Sequence, residues 1–178
     1  MKHRIKNKSV RETEAQLLHE DYCREIIQEQ LQEDDEHRFP RILLKKTDQF
    51  CAYDWMLMRG QYCFGFGEFK AFKKPKTLID RTGEMWMQLH KMTAGREVHE
   101  VTGLPFIFFI HLNEGLFFHV LRTDKPYKAR FLDSSMKEQR EYKSAIAVIP
   151  SKELHNLRTE RDLLWEHFAS ADQADYVT

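Results

Sequence analysis

The sequence predicts a mixed α/β domain in which helices pack on a central sheet of roughly five strands. Two observations lead there. Hydrophobic patterns of helical period and of strand period follow one another along the chain. At 178 residues, 42% of them apolar and 13 of them phenylalanine, the chain suits one compact domain with appendages and its own core.

In order, residues Val10 to Glu33 read as a helix, because Ala15, Leu18, Tyr22, Ile26 and Ile27 recur at helical spacing. Asp34 to Pro40 breaks it. Strands are expected at Arg41–Lys45, Ala52–Arg59 and Tyr62–Phe72, with Gly60-Gln61 as the hairpin turn between the last two. Lys73 to Arg81 reads as a basic loop containing Pro75. A second helix is expected over Gly83–Thr102, with Thr82 as N-cap and Gly103 as its stop. Phe106–Leu112 and Leu116–Arg122 form a hairpin across Asn113-Glu114-Gly115. Asp124 to Tyr142 is polar and without clear period. Ala145–Ile149 is a short buried strand ending at Pro150, and Ser151 can cap a final helix, interrupted near Thr159, that reaches about Ser170. The domain reading is a basic arm over 1–9, a single domain over 10–171 and a flexible tail over 172–178.

Net charge is zero, so any affinity for a polyanion must be local. Basic residues do cluster, at Lys2, Arg4, Lys6, Lys8 and Arg11 and again at Lys70, Lys73, Lys74, Lys76 and Arg81. The acidic run Glu29, Glu33, Asp34, Asp35 and Glu36 reads as solvated surface. Three cysteines, Cys23, Cys51 and Cys63, lack CxxC spacing, which argues against a disulfide framework and a zinc knuckle. No signal-peptide core and no bilayer-length apolar run occurs, so the expected compartment is a reducing cytoplasm, that of a bacterium or a phage-infected host included. A Gly-rich phosphate loop, a nucleophile elbow and a spaced Cys–His pair are also missing, which removes the common small-molecule enzyme classes.

The chemistry-bearing segment is Asp54-Trp-Met-Leu-Met-Arg-Gly-Gln-Tyr-Cys-Phe-Gly-Phe-Gly-Glu68-Phe-Lys70. A carboxylate in apolar strand sequence is costly unless it is paired or binds a metal. Glu68 and Lys70, two apart on a strand, share a face, with Phe64 and Phe66 expected upstream on it. Two carboxylates and a lysine converging on one point suit phosphodiester hydrolysis. The carboxylates can hold Mg²⁺ through oxygen, with the Phe69 carbonyl as a further ligand, and Mn²⁺ as a substitute. The ammonium can orient water or stabilise the transition state.

Parity tests this reading. A two-residue Gly60-Gln61 turn pairs Arg59 with Tyr62, and therefore Asp54 with Gly67, so Glu68 would face away from Asp54. Convergence requires a three-residue turn or a bulge, which Gly65 or Gly67 could supply.

Asp-x13-Glu-x-Lys across a hairpin, after an N-terminal helix, resembles the PD-(D/E)xK nuclease superfamily, which includes restriction endonucleases, Holliday-junction resolvases, phage endonucleases and the small VRR-NUC nucleases. The likeness runs from about Glu14 to Pro150. It implies a restriction-endonuclease-like αβββαβ core, which agrees with the element order above. It implies Asp54 and Glu68 as metal ligands and Lys70 as the residue that positions water. Tyr53 stands where the family motif has proline.

Members often add a glutamate from the first helix. Here Glu14 is chosen because it lies on the Leu18–Tyr22 stripe, with Glu20 as the rival. The alternative is that Glu14 complements the helix N-terminus. Relatives also carry a glutamine at the place of Gln88, on the second helix between Met85 and Met92. Gln88 reads either as a contact to metal-bound water or DNA, or as a core-edge residue bonded to backbone. Lys73, Lys74 and Lys76 read as phosphate contacts or as a solubilising loop. His111 and His119 sit on facing strands without a carboxylate or thiol neighbour to complete a metal set, so they are expected to be half-buried strand residues.

The functional expectation is a Mg²⁺-dependent DNA endonuclease. No base-reading module is evident, so specificity would come from DNA shape, as in a junction resolvase acting as a homodimer, or from a protein partner. The competing expectation is a nuclease-fold protein that binds DNA or a partner without cutting.

Overall fold

The computed structural model describes residues 13–32, 41–48, 51–132 and 144–172. The basic arm over 1–9, the break at Asp34–Pro40 with its acidic residues, and the tail expected over 172–178 lie outside these residues, except that Asp172 is helical.

Among the described residues, helix α1 (Glu14–Gln32) is followed by strands β1 (Ile42–Lys46), β2 (Trp55–Arg59) and β3 (Tyr62–Ala71). Helix α2 (Lys76–Thr82), strand β4 (Glu84–Gln88) and helix α3 (Leu89–Thr102) come next. Then come β5 (Phe106–Leu112), β6 (Gly115–Val120), β7 (Lys128–Leu132), β8 (Ser144–Pro150), a 3₁₀ turn (Ser151–Glu153), β9 (His155–Asn156) and α4 (Arg161–Asp172). A mixed sheet runs β1-β2-β3-β5-β6-β9 and a smaller one runs β4-β8-β7. Among the described residues only β3 and β5 pair in parallel; the other ladders are antiparallel. The six expected strands all form, five of them in the main sheet, whereas Ala145–Ile149 lies in the smaller sheet, and β4, β7 and β9 were not expected.

Two cores flank the main sheet. On one face, Cys23, Ile27 and Leu31 of α1 and Leu164 and Phe168 of α4 pack on Ile42, Leu44, Trp55, Leu57, Phe69 and Phe109. On the other, Phe66, Phe106, Phe108 and Ile110 meet Ile79, Met85, Met87, Met92 and Ile149 from α2, β4, α3 and β8. Burial of such large side chains is the main stabilising term. Helix α1 also covers the open edge of the sheet. Gln28 Oε1 accepts from the Leu44 amide at 2.9 Å, and Arg24 donates to the Leu44 carbonyl at 3.1 Å. Side chains thus finish hydrogen bonds that an edge strand would otherwise offer to another chain.

Four expectations are corrected. The stripe Leu18–Tyr22 faces solvent, at 65% and 62% exposure, while Glu20, Cys23, Ile27 and Leu31 form the buried face of α1. Both stripes have helical spacing, and the sheet selects the second. The expected Gly83–Thr102 helix is a strand followed by a shorter helix. Met85 and Met87 are buried with their neighbours outward, a period of two, and β4 pairs with β8. Gly83, at φ 72°, ends α2, and Thr82 donates back to the Leu78 and Ile79 carbonyls rather than capping a new helix. Gly103, at φ 71°, ends α3 as expected. Thirdly, the basic Lys73–Arg81 stretch is helical from Lys76 onward. Ser151 opens a 3₁₀ turn, and the last helix starts only at Arg161. No helix among the described residues is long and apolar enough to cross a membrane.

Candidate active site

The site forms where the β2–β3 hairpin opens. Arg59 pairs with Tyr62 across the two-residue turn, yet Met58 pairs with Cys63 and Leu57 with Gly65, so Phe64 is an extra residue. This is the bulge that parity required. It sets Trp55 opposite Gly67 and so carries Asp54 across from Glu68. The bulge also turns Phe64 to the other face, where it packs edge-on to Phe168 with ring centroids 4.8 Å apart. Only Phe66 keeps the expected face with Glu68. Gly65 suits this place, because a Cβ would lie 3.3 Å from both the Phe168 ring and the Pro105 carbonyl oxygen, and its neighbours would have to give by a few tenths of an ångström.

Strand β2 begins at Trp55, whereas β3 continues to Ala71 alongside β5. Backbone groups of alternate residues point to opposite neighbours. The Phe66 and Phe72 amides donate to Pro105 and His111 beside β5, while the Gly67 carbonyl accepts from Asp54 at 3.0 Å. Phe69 therefore faces the side on which β2 has ended. Asp54 Oδ2 takes its amide at 2.8 Å, in place of a ladder partner. Thr47 donates its amide to the Asp54 carbonyl at 2.9 Å, which anchors the loop.

Glu68 is fully buried, and its Oε1 lies 2.8 Å from Lys70 Nζ and 2.7 Å from Lys91 Nζ. The lysine side chains are only partly exposed, at 29% and 20%. Neither Glu68 oxygen has a hydrogen bond of good geometry among the described residues. The 2.7–2.8 Å separations to Oε1 are real charge contacts whose angles fall short of hydrogen-bond geometry. Burial pushes the Glu68 carboxyl above its usual range; Lys70 pulls it down, and the Asp54 charge pushes it further up. A buried carboxylate facing a second carboxylate, with one oxygen unbonded, fits a hard divalent cation bound through oxygen.

Lys91 was not anticipated from the sequence. It reaches Glu68 because α3 lies very close to β5: a Cβ on Gly95 would stand 2.8 Å from the Phe106 ring. Gly95 is one turn beyond Lys91, and a glycine inside a helix was the available signal of close packing. Gln88 is exposed at the end of β4 and is not on a helical apolar face. Its placement had assumed one continuous helix from Gly83. Glu14 sits in the exposed first turn of α1, since the stripe on which it was chosen faces solvent. Glu20 is buried and pairs with Lys46 at 3.2 Å.

Lys73 and Lys74 are exposed beside the end of β3. Lys76 is engaged, with its ammonium on Asp80 and 5.8 Å from the Phe117 ring centroid, and its amide donating to Glu114 at 2.7 Å. The structure thus gathers Asp54, Glu68, Lys70 and Lys91, and leaves Glu14 and Gln88 on the surface.

The fold is similar to that of D212, a nuclease from a fusselovirus, with a TM-score of 0.53 and 16% identity over 92% of this chain and 97% of that one. No curated protein matches the sequence. A family model described as "Phage putative PDDEXK endonuclease" matches residues 10–137, most of the chain and all of the cluster, and the chain belongs to that nuclease family.

Proposed function

We propose that this chain is a Mg²⁺-dependent deoxyribonuclease that cuts DNA internally, with Asp54, Glu68 and Lys70 at its centre. The observation that carries this reading is Glu68, a wholly buried carboxylate with one oxygen unbonded, held opposite Asp54 by a bulge. A structural ion pair of this composition would be an expensive device in a core.

Asp54 and Glu68 are the residues that would hold the cation, with the Phe69 carbonyl on the same open side as its amide. Bound there, Mg²⁺ supplies a water of lowered pKa and neutralises charge on the scissile phosphate, and Mn²⁺ has the same preference for oxygen ligands. Lys70 and Lys91 keep Glu68 ionised. Lys70, the more exposed, is the one placed to orient the attacking water and meet developing negative charge. Lys73 and Lys74 supply contacts to neighbouring phosphates, which add affinity without reading sequence. Selection by DNA shape, as in a junction resolvase, needs a dimer to cut two strands symmetrically.

The test is cleavage of labelled linear duplex, single strand, flap and four-way junction, with an RNA control, in Mg²⁺, Mn²⁺ or EDTA. Metal-dependent cutting that Lys70→Ala abolishes is the expected result, and the preferred DNA names the subclass. Failure of the folded wild type to cut any of them with either metal would make the chain a binding protein on a nuclease fold.

A further inference from the structure

A second polar cluster lies on the opposite face of the main sheet, outside the carboxylate site. His19 and Cys23, one turn apart on α1, meet His111 from β5. His19 Nε2 lies 2.9 Å from His111 Nδ1 and 3.7 Å from Cys23 Sγ, and the three ligand atoms all fall within 4.8 Å of one another. Cys23 is wholly buried and the two histidines are half-buried, so solvent reaches the cluster through the histidines. The His19 ring also packs near Phe69 and His111, with centroids 6.3 Å and 4.8 Å away.

We propose that His19, Cys23 and His111 form a transition-metal site for Zn²⁺ or a similar borderline-soft ion, with a fourth position open toward solvent. Donors at zinc bonding distance on a tetrahedron stand roughly 3.3–3.7 Å apart. The Cys23–His19 separation already has that length, the His19–His111 separation needs to open by a few tenths of an ångström, and the Cys23–His111 pair, within 4.8 Å, needs to close by up to about an ångström. Two imidazole nitrogens and a thiolate select zinc-like ions and reject Mg²⁺, whereas the oxygen set at Asp54 and Glu68 has the reverse preference. The two sites in one chain are therefore chemically separable.

In binding, the Cys23 S–H bond breaks, its proton goes to buffer and the sulfur bonds the ion. Burial pushes the free thiol up to about 11, so the ion must displace that proton. The ion would tie the first helix to a strand 92 residues away. A cross-link closing so long a loop removes much unfolded-chain freedom, so the bound ion would stabilise the fold.

The experiment uses the full chain carrying Cys51→Ser, which removes the exposed thiol, stripped of metal and confirmed as folded by circular dichroism. Co²⁺ is titrated in as the optical probe. One equivalent should produce a thiolate-to-cobalt charge-transfer band with the strong visible absorption of a four-coordinate ion, and Zn²⁺ should bleach it. The band should vanish in Cys23→Ser, weaken at least tenfold in affinity in His111→Asn, and persist in Glu68→Gln. Zn²⁺ should raise the thermal midpoint of the parent but not of Cys23→Ser. A folded parent without the band, or a band unchanged by Cys23→Ser, overturns the proposal.

Discussion

Glu68 and His119 are both polar groups buried in the same half of the molecule, yet they are treated in opposite ways. Each His119 nitrogen has a partner: the Tyr127 hydroxyl at 2.8 Å and the Glu153 carbonyl oxygen at 3.0 Å. Tyr127 in turn accepts the Arg122 amide at 2.8 Å. That network is complete, and it ties β6 to the segments before β7 and β9. Glu68 holds two ammonium groups against one oxygen, and its other oxygen has no hydrogen bond among the described residues. Buried polar groups are normally satisfied, so the incomplete carboxylate supports the proposed site. The histidine that the sequence suggested would be half-buried is instead 2% exposed and structural.

The sharpest way to break this contrast is Glu68→Gln. Nuclease activity should fall by about 10²–10⁴-fold, the usual scale for removing a group that acts in the transition state. Because burial raises the Glu68 pKa, its ionisation opposes folding, and that cost grows as pH rises from the ordinary carboxylate range through the raised value. The unfolding midpoint of Glu68→Gln in EDTA at neutral pH should then be at or above that of the wild type. A drop of several degrees would make Glu68 a structural anion.

The opposite result is expected for His119→Gln. Burial holds His119 down at about 4 from its ordinary 6.5. The folded state then binds this proton less well than the unfolded chain. Stability is full above the unfolded value and is lost as pH falls toward the folded one, by about 3 kcal/mol in all. Chemical denaturation at pH 7 and pH 4.5 should show a smaller loss in the variant, with cleavage per folded molecule unchanged. A variant as acid-sensitive as the wild type would remove His119 from this role.

Lys91→Met should have an intermediate effect, about 10–10²-fold in rate. Since Lys91 lowers the Glu68 pKa, its loss moves the acidic limb of the pH–rate profile to higher pH. A uniform loss at every pH would assign Lys91 to another task. The smallest effect is expected for the surface lysines. Lys73→Ala and Lys74→Ala should each flatten the salt dependence of DNA binding by roughly one unit of slope. Lys76→Ala, already committed to Asp80, should do so less. Equal slopes for all three would dissolve the distinction.

Local features could be read from the sequence because they depend on neighbours along the chain. Strand alternation alone places Glu68 and Lys70 on one face, and parity alone demands a bulge between Asp54 and Glu68. Gly60 and Gly103 mark their turn and helix end through their own backbone freedom. Where two patterns competed, tertiary structure decided. Helix α1 carries two apolar stripes, and the sheet buries the one holding Cys23, Ile27 and Leu31, so Glu14 ends in solvent. Met85, Met87 and Met92 fit a helix about as well as a strand followed by a helix, until β8 supplies hydrogen bonds for Glu84–Gln88. Lys91 meets Glu68 because Gly95 lets α3 approach Phe106, and His111 meets His19, with Cys23 nearby, because α1 packs on that face of the sheet. Those meetings are set by which surfaces pack together, and sequence spacing carries no record of that.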